Sequence, residues 1–309
     1  MRDLKINIQT FIFTARSDAS FIDNTLPYLI KLLEKADNSI TLILDTRDPS
    51  GVLGSTLQQG ELIDITSRIK KLQSKFKFEF LTTSYDPKSI RTKNRLQFNY
   101  PYRETHCFRG YPIYGSFRQF IVTDSKYVLH LDCDMIFYEE PAFSWVLEGI
   151  RVMEENKDIL CVLPRAGPPT KDGSLHQGTT PYEVDEKRGL YLFKNFTSRH
   201  YLIHRERFLS LLPLKPAWLS WREPIKSKLF GNGKMLCWEA MVEQALEKSN
   251  MWRADLMTDQ AWSLHPGDRS EDFYKLLPQI IDSVNRNEFP EEQRGHFDLK
   301  LNDWKCFLS

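Results

Sequence analysis

The most informative stretch of the sequence is Tyr127-Val128-Leu129-His130-Leu131-Asp132-Cys133-Asp134-Met135-Ile136-Phe137. Its apolar and β-branched residues predict a single strand that carries two carboxylates near its end. Because side chains two apart on a strand share a face, Asp132 and Asp134 are expected to project together, and Cys133 toward the core. Adjacent carboxylates repel, and a hard divalent cation such as Mg2+ or Mn2+ relieves that repulsion and also binds phosphate oxygens. The alternative interpretation is a strand that ends in a solvated acidic turn.

The composition describes an ordinary globular protein of 309 residues. Hydrophobic residues make up 41% of the chain, and 42 basic side chains balance 41 acidic ones to a net charge of +1, so no global field points to nucleic acid. No apolar run approaches the roughly 20 residues that cross a bilayer, and the first residues lack a secretory apolar core. Five scattered cysteines without a Cys-x-x-Cys pair predict reduced thiols and a cytoplasmic location.

The first 135 residues alternate between strand and helix patterns. The predicted elements are strands over 6–14, 39–44 and 76–81, helices over 21–33, 58–73 and 116–123, and a long irregular connection over 86–109. Strand, helix and strand in this spacing indicate parallel βαβ units with right-handed crossovers. In such sheets the ligand crevice lies outside the carboxyl ends of the strands, where Asp132 and Asp134 are expected.

The second half mixes helices and short strands with two long loops. One loop, 166–184, is rich in Gly, Pro and Thr, and the other, 213–233, ends in Gly231-Asn232-Gly233. An amphipathic helix beginning near Trp238 follows the second loop. We interpret 1–269 as one domain, with a nucleotide-sugar half (1–135) and an acceptor half (136–269), and 270–309 as a helical tail packed on it.

Four features in this order resemble the GT-A nucleotide-sugar glycosyltransferases, and within them the family 2-like enzymes. They are the Asp132-Cys133-Asp134 stretch after a hydrophobic strand, the Gly231-Asn232-Gly233 turn, Glu239 at the start of the next helix, and His265 near the end. The resemblance covers roughly residues 6–265. It implies a mixed, mainly parallel sheet flanked by helices, and transfer of a sugar from a nucleoside-diphosphate sugar to a carbohydrate or other hydroxyl-bearing acceptor.

The resemblance also implies roles for the acidic residues and the histidine. Asp134 would bind Mn2+ or Mg2+, Asp132 would face the ribose or the outer shell of the metal, and His265 would complete the metal site. Glu239 would be the base that activates the acceptor hydroxyl, with Glu243 one turn further on as the alternative. This arrangement corresponds to an inverting, single-displacement mechanism.

For the nucleotide, the resemblance places Thr14, Ala15 and Arg16 beside the base and ribose at the end of the first strand. Asp45, at the end of the second strand, would accept from the ring N–H of a uracil, which favours a UDP-sugar. Arg118 would reach the diphosphate, its ordinary alternative being a salt bridge. The chain departs from the family after the first strand, where it has Phe13-Thr14-Ala15-Arg16-Ser17 in place of a Pro-x-Tyr-Asn-like sequence.

Three other functions fit parts of the same pattern. A sugar nucleotidyltransferase shares the nucleotide-binding fold but has a Gly-rich basic loop after the first strand, and Ala15-Arg16-Ser17-Asp18 contains no glycine. A non-catalytic, GT-A-like nucleotide-binding module would be favoured if Glu239 and His265 lay far from Asp134. A haloacid-dehalogenase-type phosphatase also uses Asp-x-Asp, but usually at the start of its domain.

Overall fold

The structure is a computed structural model that describes residues 7–36, 39–48, 50–51, 61–176 and 180–309. Its strands in chain order are β1 (Ile8–Ala15), β2 (Ser39–Asp45), β3 (Glu79–Thr82), β4 (Tyr127–Asp132), β5 (Ile136–Glu139), β6 (Ile159–Leu163), β7 (Arg165–Ala166), β8 (Glu183–Asp185), β9 (Leu190–Phe193), β10 (His200–His204), β11 (Trp252–Leu256) and β12 (Ala261–Leu264). Its described α-helices are α1 (Ile22–Leu33), α2 (Leu62–Gln73), α3 (Pro87–Phe98), α4 (Tyr114–Arg118), α5 (Trp145–Glu155), α6 (Arg205–Ser210), α7 (Glu223–Phe230), α8 (Trp238–Glu247), α9 (Glu271–Asn285) and α10 (Leu301–Leu308).

A nine-stranded sheet in the order β3-β2-β1-β4-β10-β6-β11-β9-β8 spans the molecule. The pairs from β3 to β4 are all parallel. Only β10 and β9 run against the other strands, since each pairs antiparallel with both of its neighbours while β11 pairs parallel with β6. Seven of the nine strands therefore point the same way, and the predicted mixed, mainly parallel sheet flanked by helices is confirmed.

The sheet is covered on both faces, which explains why its central strands are apolar almost throughout. Alternation along β1 sends Ile12 to one face and Phe11 and Phe13 to the other. The first face packs against helices α1, α2, α5 and α9, and the second packs against Phe117 and the start of α8 at Trp238. Helix α9 thus belongs to the main core.

The chain leaves the large sheet at Asp132-Cys133-Asp134. Strand β4 ends at Asp132, residues 133 and 134 form a turn, and β5 joins a separate sheet in the order β5-β12-β7. The prediction of one continuous strand over 127–137 is therefore wrong. The apolar run after the turn pairs with β12 instead of extending β4, and no local pattern distinguishes these two outcomes.

Two helices lie where the sequence predicts irregular chain. Helix α3 occupies half of the predicted 86–109 connection, and α7 lies inside the predicted 213–233 loop. The start of α3 follows ordinary capping chemistry: Pro87 is its first residue, and the Asp86 side chain accepts from the amide of Ser89 at 2.7 Å. Helix α7 ends at Gly231 with a φ of +72°, a backbone conformation that favours glycine.

Three predicted elements fall partly outside the described residues, namely residue 6 of the first strand, 58–60 of the second helix and 177–179 of the 166–184 loop. Within the part of the chain that the structure describes, no helix has both the length and the apolar character that a membrane span requires.

Candidate functional site

A cavity of about 650 Å³ opens where the carboxyl ends of β1, β2 and β4 meet. Parallel strands bring these three ends to one edge of the sheet, which is where ligands bind in open α/β folds. A volume of this size suits a small-molecule substrate. The predicted site residues that line this first cavity are Thr14, Ala15, Asp45, Asp132, Asp134 and His265.

Asp134 is the most buried charged residue of the first cavity and is held by an arginine. Its Oδ2 forms an ion pair with Arg269, whose guanidinium also donates to Asp18 Oδ1 at 3.0 Å. Burial acts to raise the pKa of Asp134, but the positive charges of Arg269, His265 and Arg199 outweigh it and lower the pKa. Asp134 Oδ1 is buried with no hydrogen-bond partner among the described residues. This oxygen therefore has hydrogen-bonding capacity that the described residues leave unused.

Asp132 faces the same cavity and contacts a second arginine. Its carboxylate lies 3.3 Å from Nε2 of His130 and 3.4 Å from Nη1 of Arg199. Burial would lower the pKa of Arg199, yet the negative charges of Asp132, Asp134 and Glu239 raise it. Arg199 is thus a fixed positive charge between the Asp-x-Asp turn and Glu239.

His265 lines the first cavity from the end of β12. Its Nδ1 lies 3.0 Å from Asp298 Oδ1, and this hydrogen bond lowers the pKa of Asp298. Its ring stacks on Phe297 at 5.8 Å between centroids. His265 therefore has a side-chain partner of its own and is not a free imidazole.

The predicted metal ligands do not form a closed, three-ligand site. Among the described residues, no group of three His, Cys, Asp or Glu side chains is placed to hold a metal ion. Mg2+ is often bound by only one or two carboxylates together with substrate phosphates. The unpartnered Oδ1 of Asp134, with Asp132 in the lining of the same cavity, fits that second kind of site.

The end of β1 is organised by Asp18. Its Oδ2 accepts from the amide of Ala15 at 2.8 Å and from Thr14 Oγ1 at 3.1 Å, which fixes the turn over Arg16–Ser20. Burial raises the pKa of Asp18 even though Arg269 opposes it. Arg16 forms an ion pair with Asp48 at the rim and is not itself part of the lining.

Asp45 lies at the end of β2 and is surrounded by donors. Its Oδ1 accepts from Tyr85 at 2.6 Å and from the amide of Arg47 at 2.9 Å, and Oδ2 lies 2.8 Å from His106 Nε2. Burial acts to raise the pKa of Asp45, but the contacts with His106 and Tyr85 prevail and lower it. A carboxylate has about four lone-pair sites, so Oδ2 keeps room for one more donor.

The lowered pKa of Asp45 predicts a loss of stability in acid. Because its folded-state pKa lies below the unfolded value of about 3.9, ionised Asp45 stabilises the fold above that value. This contribution is lost as the pH falls through the folded-state pKa. Asp45→Asn should therefore lower the free energy of unfolding near neutral pH, and the difference from the wild type should close in acid. Urea unfolding at stepped pH measures this, with the exposed Asp124→Asn as the control that shows no such trend.

Arg118 lines neither the first nor the second cavity, the latter being the one that contains Glu239. It lies at the end of α4, and its guanidinium donates to the carbonyl oxygen of Thr82 at 3.0 Å. Arg199 and Arg269 occupy the position expected of Arg118, close to the Asp-x-Asp carboxylates. Sequence reasoning missed both arginines. No periodic pattern or spaced motif marks either of them, although Arg269 lies only four residues after His265.

Glu239 lies in a second cavity of about 620 Å³ next to the first. Its Oε1 accepts from the amide of Ser198 at 2.9 Å and from Ser198 Oγ at 2.8 Å. Glu243, one turn further along α8, lines the same cavity, and burial raises its pKa. The segments around 108–110 and 197–199 contribute residues to both cavities and so form their common wall. The structure thus brings Glu239 beside the Asp-x-Asp cavity, with Arg199 between them.

Two cysteines lie close together next to the second cavity, which Cys237 lines. Sγ of Cys107 lies 3.1 Å from Sγ of Cys237, the residue before α8. All five cysteines are free thiols in the structure. Cys133 is buried, as its predicted place in the core requires, and its Sγ lies 3.5 Å from Thr25 Oγ1.

Sequence comparison finds no matching family model and no matching curated protein. Among solved structures, the chain is similar to the galactosyltransferase LgtC in complex with donor and acceptor sugar analogues, with 9% identity, a TM-score of 0.41, and coverage of 93% of this chain and 99% of that chain. It is also similar to apo UDP-glucose pyrophosphorylase, with 10% identity, a TM-score of 0.44, and coverage of 91% and 98%. A further likeness is to the mannosyltransferase Ktr4p from S. cerevisiae in complex with GDP, with 12% identity, a TM-score of 0.39, and coverage of 81% and 69%. At this level of similarity, these likenesses assign neither a family nor an activity to this chain.

Proposed function

We propose that this protein is a GT-A-like glycosyltransferase that moves a sugar from a nucleoside-diphosphate sugar to an acceptor hydroxyl. One observation carries the proposal: the first cavity combines the buried carboxylate of Asp134, one oxygen of which has no partner among the described residues, with the guanidiniums of Arg199 and Arg269 at the carboxyl edge of parallel strands. This mixture of charges suits a diphosphate, whose oxygens need cationic partners close to the sheet edge.

The donor nucleotide would lie along the ends of β1 and β2. Thr14 and Ala15 form one wall of this part of the cavity. Oδ2 of Asp45, which already contacts His106, can accept one more hydrogen bond, and a base N–H would donate it. A uracil ring N–H suits this acceptor, so we propose a UDP-sugar as the donor. The contacts from Tyr85 and His106 hold the Asp45 carboxylate in place, which reduces the entropy lost on binding.

The leaving diphosphate would be stabilised by fixed charges on the floor of the first cavity. Arg199 and Arg269 are already held by carboxylates, so little reorganisation is needed when negative charge develops on the departing oxygen. A divalent cation, Mn2+ or Mg2+, would be held by Asp134 and Asp132 and would neutralise charge on the phosphates. We propose His265 as a supporting residue at the same edge of the cavity.

The acceptor hydroxyl would enter through the second cavity and meet Glu239. Ser198 fixes one carboxylate oxygen of Glu239, which leaves Oε2 to accept the hydroxyl proton. Attack from this side, opposite the departing diphosphate, corresponds to inversion by single displacement. Glu243 is the alternative base, since burial raises its pKa toward the value that an acceptor of protons needs at neutral pH.

A thermal-shift panel of nucleotides tests the donor proposal directly. We expect UDP and UDP-sugars to raise the melting temperature more than the guanine, adenine and cytosine diphosphates, and Mn2+ to increase the shift. Ligand at 100 times its Kd stabilises the folded state by about 2.7 kcal/mol, which is readily measured. A preference for UTP over UDP would instead indicate a nucleotidyltransferase. The absence of any nucleotide-dependent shift would refute the proposal.

A further inference from the structure

Helix α7 and the short segment before it, from Leu219 onward, expose an unusual amount of apolar surface. Of the twelve large apolar side chains exposed in the described residues, five lie between 219 and 230. We define these five as the α7 patch: Leu219, Trp221, Ile225, Leu229 and Phe230, which are 50%, 74%, 53%, 64% and 68% exposed. A concentration of this kind on one surface marks an interaction site more often than a scatter of single residues does.

The polarity of α7 is inverted relative to an ordinary surface helix. Ile225 and Leu229 are four residues apart on α7 and so share its outward face, and Trp221, in the turn that leads into the helix, is exposed as well. The inward face carries Glu223 and Ser227, which are both buried. A surface helix normally turns its apolar stripe toward the core, so the outward stripe of α7 is available to something other than this chain's own core.

Buried polar contacts hold α7 rigidly in this orientation. Ser227 Oγ donates to Glu104 Oε2 at 2.7 Å, and the other oxygen of Glu104 accepts from the amide of Gly233 at 2.8 Å. Glu223 Oε2 accepts from the amide of Lys234 at 2.9 Å. Rotating the helix to bury its apolar stripe would break these bonds inside the protein, so the patch remains on the outside.

The charges around the α7 patch are basic, although the whole chain is nearly neutral. Residues 213–234 contain five basic side chains, Lys215, Arg222, Lys226, Lys228 and Lys234, and one acid, Glu223, giving +4, compared with +1 for all 309 residues. The five basic residues are exposed, whereas Glu223 is buried and paired with Lys226 at 2.9 Å. The surface that α7 presents therefore carries only positive charge from this segment.

We propose that the α7 patch docks on an anionic lipid surface. An exposed patch of Trp, Phe and Leu side chains flanked by Lys and Arg has the composition that lies in the headgroup region of a bilayer, where the apolar side chains enter and the cations meet anionic headgroups. Docking does not depend on the proposed sugar transfer. Leu219 also lines the second cavity, so a docked molecule turns one edge of that cavity toward the lipid.

Vesicle co-sedimentation tests the docking of the full chain. We expect the protein to pellet with phosphatidylcholine vesicles that contain about 30% phosphatidylglycerol, and much less with phosphatidylcholine alone, because each basic residue near an anionic surface favours binding. The variant W221S/L229S/F230S removes three apolar side chains that would enter the bilayer, and it should bind at least about tenfold less. The matched control I63S/L96S/F307S changes three exposed apolar residues elsewhere and should bind as the wild type does.

A charge-reversal variant tests the electrostatic part of binding separately, because it changes only exposed side chains. R222E/K228E leaves the apolar stripe intact and should likewise abolish binding to the anionic vesicles, and added salt should weaken the wild type. Failure of the wild type to pellet with anionic vesicles would overturn the proposal, as would an equal loss in the I63S/L96S/F307S control. A wild-type dimer that W221S/L229S/F230S converts to monomers, without vesicle binding, would overturn it in favour of an interface between copies.

Discussion

The Asp134→Asn variant is expected to lose at least about 100-fold in kcat/KM for transfer from a UDP-sugar. The amide has the shape of the carboxylate but not its charge, so it weakens the site without opening a cavity. Arg269 keeps Asp18 as its partner, and the fold should therefore survive the change. Release of UDP measures the rate, and circular dichroism together with the melting temperature reports on folding.

The metal dependence of the same variant separates two roles for Asp134. If Asp134 holds a divalent cation, the concentration of Mn2+ that gives half-maximal activity should rise in Asp134→Asn. The exposed Asp124→Asn loses a carboxylate outside both cavities and should match the wild type in rate and in Mn2+ dependence. Full activity of Asp134→Asn with an unchanged response to Mn2+ would contradict the proposed role.

The Glu239→Gln variant is expected to lower kcat by about 10²- to 10⁴-fold, the usual contribution of a positioned base. Ser198 still donates to the amide oxygen, so the side chain should keep its place. Because Glu239 lies in the second cavity, UDP should raise the melting temperature of the variant by as much as we expect for the wild type. The measurements are the rate of transfer and the nucleotide-induced thermal shift.

Two further substitutions on α8 locate the base. Glu247→Gln removes an exposed carboxylate from the same helix and should leave the rate unchanged. Glu243→Gln should have a smaller effect than Glu239→Gln. A neutral Glu239→Gln together with an inactive Glu243→Gln would instead place the base one turn further along.

The Asp-x-Asp residues illustrate what sequence patterns can and cannot predict. Their place at the edge of a mainly parallel sheet follows from the alternation of strands and helices and is found in the structure. The expected reason for their common direction is wrong, because Asp134 lies in a turn and not on the strand. The turn depends on where the apolar residues after it find a partner, and β12 lies more than 100 positions along the chain.

The two arginines could not be predicted from local patterns. Arg199 is 67 positions from Asp132, and Arg269 is 135 positions from Asp134. Neither belongs to a periodic pattern or a spaced motif, and only the folded chain brings them to the carboxylates. Helix α3 is different: Asp86 and Pro87 are a readable start signal that the polar, basic composition of the segment obscured.

The position of Arg199 links the two cavities thermodynamically. One guanidinium interacts with Asp132 and Asp134 on one side and with Glu239 on the other. A ligand that brings negative charge to the first cavity would change the field at Glu239, and a charged ligand in the second cavity would change the field at Asp132 and Asp134. By linkage such coupling is reciprocal: a ligand in one cavity would change the affinity of the other cavity for its own ligand by the same factor in both directions.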